Sequence, residues 1–264
     1  MHEFWTLTFK NSLIIPPMQN PKQILDIGCG TGIWAIEVAD KFPGSQVYGI
    51  DISPVQPLYL PDNCHFHLEN VLQGLSFHDE KFDLIQSRCL GASWPDRRWP
   101  GYVQEIYRMT KPGGWVQLLE IDPLRYCDDE SMPRESPLAQ CEEIIARVMK
   151  QKYEITIHGM GSKLSRHAQN AGFININQAN IKSPLGKWTG GMFFFVREDV
   201  CLIVDSKGWM IAKSWAELLV SVKHVLRDGM STATDDEINA LIQAAQSELT
   251  NNSYHAYYKM YRRL

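Results

Sequence analysis

The sequence predicts an α/β fold: an open, doubly wound parallel sheet with helical segments added after it. Three observations predict it. Gln23–Val38 (QILDIGCGTGIWAIEV) reads as an apolar strand, a glycine turn and the start of a helix. Between about residues 20 and 122, short β-branched or aromatic strands alternate with helical patterns, which is the arrangement that yields parallel strands. After Asp122 the alternation stops, and a charged, proline-rich stretch gives way to apolar helical segments. The length, 264 residues, suits one α/β domain with a sizeable insertion, or two small domains.

Residues 1–20 are aromatic and apolar, then broken by Pro16-Pro17, which fits a short helix or an extended arm beside the sheet. Strand one is Gln23–Ile27. The helix after it runs from about Gly32 to Lys41 and is stopped by Pro43-Gly44. Strand two is Gln46–Ile50, strand three about Cys64–Leu68 and strand four about Phe82–Ser87. A helix over about Arg98–Met109 puts Val103, Ile106 and Tyr107 on one face. Lys111–Gly114 is a turn, and Trp115–Ile121 is strand five. Pro123–Pro137 is a loop, followed by helices over about Leu138–Lys150 and Ser162–Asn170; Gly172 ends the second, and Phe173–Ile181 is a strand. Trp188–Val225 reads as two helices broken at Ser206-Lys207-Gly208. Thr234 and Glu237 form a capping box that opens a helix reaching about Thr250. Tyr254–Tyr261 alternates aromatic and polar residues and closes the chain as a strand. The expected organisation is a single domain over 1–264. It has a cofactor-binding core at about 20–122, cap insertions at about 123–160 and 184–232, and a closing helix and strand at 234–264.

The glycine turn carries the first chemical information. It brings bare backbone, and the unpaired N–H groups of a helix start, against a ligand. A dinucleotide fingerprint would read G-x-G-x-x-G; here the spacing is D-x-G-x-G-x-G, with Asp26 before Gly28, Gly30 and Gly32. An acid at that place repels a diphosphate and suits a cation such as an α-ammonium. S-adenosylmethionine has that shape: an amino-acid tail, a ribose, an adenine and no phosphate. The alternative is a tight strand-to-helix turn with no ligand. Asp51, closing strand two, stands where an acid accepts hydrogen bonds from ribose hydroxyls. Capping the bend at Ser53-Pro54 is its other reading.

Composition narrows the class. The net charge is −4, so no general attraction to nucleic acid is written into the chain. The six cysteines (Cys29, Cys64, Cys89, Cys127, Cys141, Cys201) form no C-x-x-C pair and share no short spacing with histidines, so no metal site is expected. Scattered single cysteines suit a reducing compartment. With no leader pattern and no membrane-length apolar run, the expected location is cytoplasmic or nuclear, without membrane association.

These residues resemble the class I S-adenosylmethionine-dependent methyltransferases, and within them the fungal LaeA-like group of secondary metabolism. The matching segments are LDIGCGTGIWAIEVADKFP, GIDISPVQP, HFHLENVLQGLSF, FDLIQSRCLG, EIYRMTKPGGWVQLLEID and the ending YHAYYKMYRRL, together with the opening HEFWTLTF. The resemblance implies a Rossmann-like, seven-stranded sheet whose last strand is antiparallel and inserted beside Phe173–Ile181. It implies that Asp26, Gly28 and Gly30 face the methionine tail, that Asp51 holds the ribose and that Ile52 lies against the adenine. Asn70 meets the adenine edge, and Val71 offers it a backbone N–H. Ser87 and Arg88 touch the tail or the substrate. In two respects the chain departs from the pattern: an acid is more usual at position 70, and many relatives carry a longer N-terminal segment that helps to cover the cofactor.

Methyl transfer is an in-line displacement at an activated carbon, so alignment and exclusion of water dominate. A base is needed only when the acceptor must lose a proton. The candidates are Glu120 at the end of strand five, His158 before Gly159-Met160-Gly161, and His255 at the start of the closing strand. Each has a plainer reading: a bond to loop backbone for Glu120, a solvent-facing loop for His158, and packing for His255. Trp188, Phe193, Phe194, Phe195, Trp209 and Trp215 either wall a pocket for a flat acceptor or form the core of the cap. The expected function is methyl transfer to a small molecule of fungal secondary metabolism. The alternatives are a protein methyltransferase, for which a protein partner is expected, and a regulatory cofactor-binding subunit with little turnover.

Overall fold

The computed structural model describes residues 1–186, 188, 195–196, 200–201 and 208–263. Helix α1 (His2–Thr8) precedes the alternating core, which runs β1 (Gln23–Ile27), α2 (Ile33–Lys41), β2 (Gln46–Asp51), β3 (Cys64–Leu68), β4 (Phe82–Arg88), α3 (Trp99–Met109) and β5 (Thr110–Cys127). Then follow α4 (Pro137–Tyr153), α5 (Met160–Ala171), β6 (Gln178–Pro184), a two-stranded ribbon of β7 (Phe195–Val196) and β8 (Val200–Cys201), α6 (Gly208–Ser221), α7 (Lys223–Gly229), α8 (Asp235–Glu248) and β9 (Ala256–Arg263).

The main sheet has seven strands in the order β3-β2-β1-β4-β5-β9-β6. The first five run parallel, and β9 is antiparallel to both β5 and β6. Strand order reverses between β1 and β4, which opens a crevice beyond their C-terminal ends. The closing strand lies beside the preceding one, as the resemblance implied.

Alternation along the strands sends side chains to two faces. Leu25, Ile27, Ile85 and Leu118 pack with α3 and α5 through Val103, Ile106 and Leu164. On the other face, Ile24, Val47 and Leu84 pack with Trp34, Ala35 and Val38 of α2. Further along that face, Leu119, Ile181, Tyr258 and Met260 pack with Phe4 and Trp5 of α1 and with residues of α4 and α6–α8.

Four expectations need correction. β5 is longer than Trp115–Ile121 at both ends: Phe82 pairs with Thr110, and after a register shift Leu84 pairs with Trp115, so Lys111–Gly114 is an irregularity within the strand. At its other end, Arg125, Tyr126 and Cys127 pair with Tyr258, Tyr257 and Ala256, so the loop expected from Pro123 begins only after Cys127. β6 starts at Gln178 because Phe173 turns away to pack edge-on against Tyr107, with ring centroids 5.1 Å apart. In the second insertion, β7 and β8 form a ribbon where the first of two helices was expected; α6 opens at Gly208, Ser206 and Lys207 lie outside the described residues, and a further helix break falls at Val222. The capping box at Thr234 and Glu237 is present.

Candidate functional site

β1 hands over to α2 through Gly28, Gly30 and Gly32, with φ of +68°, +55° and +77°. These are left-handed values that side chains with a Cβ disfavour. The three glycines are bare for different reasons. A Cβ on Gly32 would lie 2.3 Å from Phe66 Cζ, and one on Gly28 would lie 2.7 Å from Leu90 Cδ2. A Cβ on Gly30 would meet nothing within 4 Å, so Gly30 alone faces open space. The backbone N–H groups of Gly28 and Cys29 donate to Ile50 O at 2.9 and 3.0 Å, tying the turn to β2.

Asp51 caps the bend, as one of its readings had it, and also holds the glycine turn. Oδ2 accepts from Gly30 N at 2.8 Å and Oδ1 from Ser53 N at 2.9 Å, so it holds the glycine turn and caps the following bend. Next to it, Ile52 is 67 % exposed, an apolar face presented to the crevice side of the chain. Asn70 caps the short turn Val71–Gln73, its Oδ1 accepting from Leu72 N at 3.0 Å. With that oxygen engaged, the amide NH2 is the group it offers to a ligand. Val71 is half-buried behind it.

Asp26 is buried, and its Oδ1 accepts from Gln86 Nε2 at 3.4 Å. Its Oδ2 has no hydrogen-bond partner among the described residues. Burial pushes the carboxyl up to about 6, while nearby Arg88 pulls it down. Gln86 accepts in turn from Gln117, whose Oε1 accepts from Ile15 N at 2.9 Å. A line of buried amides thus fastens the N-terminal arm to the carboxylate. Arg88 shares this face; its Nη1 lies 3.4 Å from His2 Nδ1, and His2 Nε2 lies 3.0 Å from Glu37 Oε2. Helix α1, with Phe4 and Trp5 buried, therefore stands against Arg88. Ser87 departs from expectation: alternation turns it to the α3 face, where its buried hydroxyl accepts from Tyr102 at 2.7 Å.

The three candidate bases are not brought together. Glu120 is buried, and both its oxygens accept backbone N–H groups: Leu90 N at 2.8 Å and Gly91 N at 3.0 Å. Burial outweighs these donors and pushes its carboxyl up to about 8. His158 is exposed and lines a recess of about 510 Å³. His255 Nδ1 lies 2.5 Å from Asp129 Oδ2, and its ring lies 4.9 Å from that of Trp188. That is a fastening of β9 to the preceding loop.

The described aromatics of the second insertion serve packing. Trp188 Nε1 donates to Ala256 O at 2.9 Å, and Trp215 lies 4.6 Å from Tyr258 beside the helical core. Neither lines the recess. Phe193 and Phe194 lie outside the described residues, as do the side chains of Phe195 and Trp209.

Sequence reasoning missed two buried acids. Glu142 on α4 pairs with Arg125 Nη1 at 2.5 Å and accepts from Tyr258 OH at 3.1 Å. Burial pushes its carboxyl up to about 7 against those donors. The signal was an acid four residues after Leu138, on the buried face of a helix. Asp122 is fully buried, and its Oδ2 accepts from Tyr126 and Tyr261 hydroxyls, both at 2.9 Å. Its partners come from residues 4 and 139 positions away, which no local pattern links.

The recess is lined by Leu124, Arg125, Met132, Glu142 and His158 among others, at the C-terminal end of β5 and so on the same edge of the sheet as the glycine turn. A larger concavity of about 810 Å³ lies at the opposite edge, around Arg108, Lys111 and Phe173, away from these groups. Among the described residues, no histidine, cysteine and carboxylate cluster could hold a metal ion, and no helix is long and apolar enough to cross a membrane.

The crevice fits a phosphate-free nucleoside with an amino-acid tail. Asp26 Oδ2 is a buried acceptor with no partner among the described residues, which suits a cationic ammonium, and Gly30 leaves open space. Comparison with known proteins agrees. Residues 24–114 match the family model described as a methyltransferase domain. The chain is 32 % identical over 189 residues to the secondary metabolism regulator laeA of Aspergillus fumigatus, covering 71 % of this chain and 50 % of that protein. It is 32 % identical to methyltransferase pytC of Aspergillus terreus, covering 71 % and 57 %. It is 31 % identical to the protein-methionine methyltransferase laeA of Emericella nidulans, covering 71 % and 50 %. The chain spans about half the length of the laeA proteins it matches. Among solved structures, the cyclopropane synthase MmaA2 of Mycobacterium tuberculosis shares the fold, with a TM-score of 0.56 at 14 % identity over 99 % of this chain and 82 % of that one. Sheet order, glycine turn, matched domain and relatives together place this chain among the class I S-adenosylmethionine-dependent methyltransferases, as a homologue of the fungal LaeA group.

Proposed function

We propose that the protein transfers a methyl group from S-adenosylmethionine to a small-molecule acceptor of fungal secondary metabolism. When bound, the cofactor supplies a methyl group on a sulfonium, which needs no further activation. Asp26 meets the ammonium of its amino-acid tail, and the bare backbone at Gly30 leaves room for that tail. Asp51 takes the ribose hydroxyls, and Ile52 and Asn70 take the adenine. Arg88 stands beside Asp26 as the cationic counterpart for a carboxylate.

The observation that carries the acceptor class is the recess beyond β5. Its volume of about 510 Å³ lies within the range of small-ligand sites. Apolar Leu124 and Met132 share its lining with the paired Arg125 and Glu142 and with His158, whose imidazole is able to take a proton. The second reading is a protein acceptor, favoured by the printed name of the Emericella laeA protein.

The test is incubation with methyl-labelled cofactor in two arms, small-molecule and protein fractions of a fungal extract. Label in an extractable compound whose mass has grown by one methyl group supports the proposal. Label confined to protein methionine, or no transfer in either arm, overturns it.

A further inference from the structure

Glu120 is a buried acid at the C-terminal edge of the sheet, and among the described residues its side chain makes no hydrogen bond to another side chain. Both oxygens are instead spent on successive amides, Leu90 N at 2.8 Å and Gly91 N at 3.0 Å. Those amides belong to the loop that leaves β4. The loop starts with an unfavourable residue: Cys89 has φ +55°, in the left-handed region that non-glycine residues seldom enter. Its N–H donates to Leu119 O at 2.9 Å, so the neighbour of Glu120 on β5 fixes the turn from the other side.

The consequence lies one residue further on. Leu90 directs its side chain onto the glycine turn, closely enough that a Cβ on Gly28 would come within 2.7 Å of its Cδ2. Gly91 is bare for a matching reason, because a Cβ there would lie 3.0 Å from Glu120 Oε2 and 3.3 Å from Met160 Cγ. Carboxylate, two amides, an isopropyl group and the glycine turn thus form one continuous line of contact. It leads from β5, on the acceptor side, to the backbone that cradles the cofactor.

We propose that Glu120 is a positioning residue, a clamp on the loop after β4 that seats Leu90 against Gly28 and so builds the wall over the methionine end of the cofactor crevice. The proposal rests on the glycine turn being the cofactor site. It assigns Glu120 no contact with the methyl acceptor. Each of its oxygens already accepts a backbone N–H, which aims the carboxyl at the loop. The nearest equivalent in effect is a cross-brace: the residue acts through Leu90, and its loss is felt at the cofactor.

The experiment is a double-mutant cycle read by calorimetric titration with S-adenosylhomocysteine. Glutamine at position 120 keeps one acceptor and sets an NH2 against the other amide. Glu120→Gln is expected to weaken binding by about tenfold, because one of the two buried loop amides loses its acceptor and faces another donor. Leu90→Ala is expected to do the same, and the double variant to bind no worse than the weaker single, because the two residues act as a unit. Amide exchange at Leu90 and Gly91 should quicken in Glu120→Gln. Binding by Glu120→Gln within twofold of wild type, multiplying losses, or unchanged exchange at the two amides would each overturn the clamp. Should Glu120→Gln not fold, Gly91→Ala tests the same joint by crowding the carboxylate, with the same weakening expected and wild-type affinity overturning the proposal. A wild-type chain that does not bind S-adenosylhomocysteine at all overturns the cofactor reading itself.

Discussion

The cofactor half of the molecule and its helical layer solve the burial of charge in opposite ways. Around the glycine turn, acids are left partly open: Asp26 keeps an oxygen with no partner among the described residues, and Asp51 holds only backbone amides. In the helical layer the acid is closed off, with Glu142 paired to Arg125 and Tyr258. A carboxylate that lacks a partner is costly unless a ligand supplies one. One that is paired holds segments of chain together. Asp26 and Glu142 are both buried and both raised, and they differ in whether every carboxyl oxygen has a partner among the described residues.

The largest expected effect breaks the structural side of this comparison. Glu142→Ala leaves Arg125 buried without its partner, and should destabilise the fold by about 3–5 kcal/mol in urea denaturation. Affinity for S-adenosylhomocysteine, measured where the variant is still folded, should stay within about twofold, since additivity holds for distant sites. A large loss of affinity at unchanged stability would reverse the two roles.

Gly30→Val tests the binding side. The Cβ of the added side chain meets no protein atom within 4 Å, so the main expected cost to the fold is the left-handed backbone penalty, about 1–2 kcal/mol. The same atoms occupy the ligand's space, and calorimetry should show cofactor binding abolished. Retained binding would mean that the open space above Gly30 is not the site.

A pH series sharpens the comparison at Asp26. Its carboxyl, raised to about 6 by burial, is largely protonated at pH 5 and must ionise to meet an ammonium group. Affinity for S-adenosylmethionine should therefore rise by about tenfold from pH 5 to pH 7, as the competent fraction grows. For the ligand-free fold the sign is opposite. A carboxyl raised above its ordinary 3.8 binds its proton more tightly when folded, so its contribution to stability declines as pH rises from about 4 through about 6. Asp26→Asn should flatten the binding profile; an unchanged profile would exclude Asp26 as its source.

The smallest effect is expected at His255. Its contacts are with exposed Asp129 and with Trp188, so His255→Ala should leave cofactor affinity and turnover near wild type. A loss of turnover at unchanged affinity would return His255 to the reacting centre.

What the sequence determined by itself follows from the range of the interactions that encode it. The glycine turn, Asp51 and the closing strand's pattern were legible because a positive φ, a strand end or an alternation is set by neighbours a few residues apart. The box at Thr234 and Glu237 belongs to the same class. The extension of β5 to Cys127 was not legible, because Arg125–Cys127 pair with a strand about 130 residues later. Nor was the turning of Ser87 toward Tyr102, the amide line from Ile15 to Asp26, or the clamp from Glu120 to Leu90. In each, the local pattern permits several partners, and only packing chooses among them. The tertiary structure therefore decided which buried acids bind and which brace, because desolvation and pairing depend on what surrounds a carboxylate and not on what precedes it in the chain.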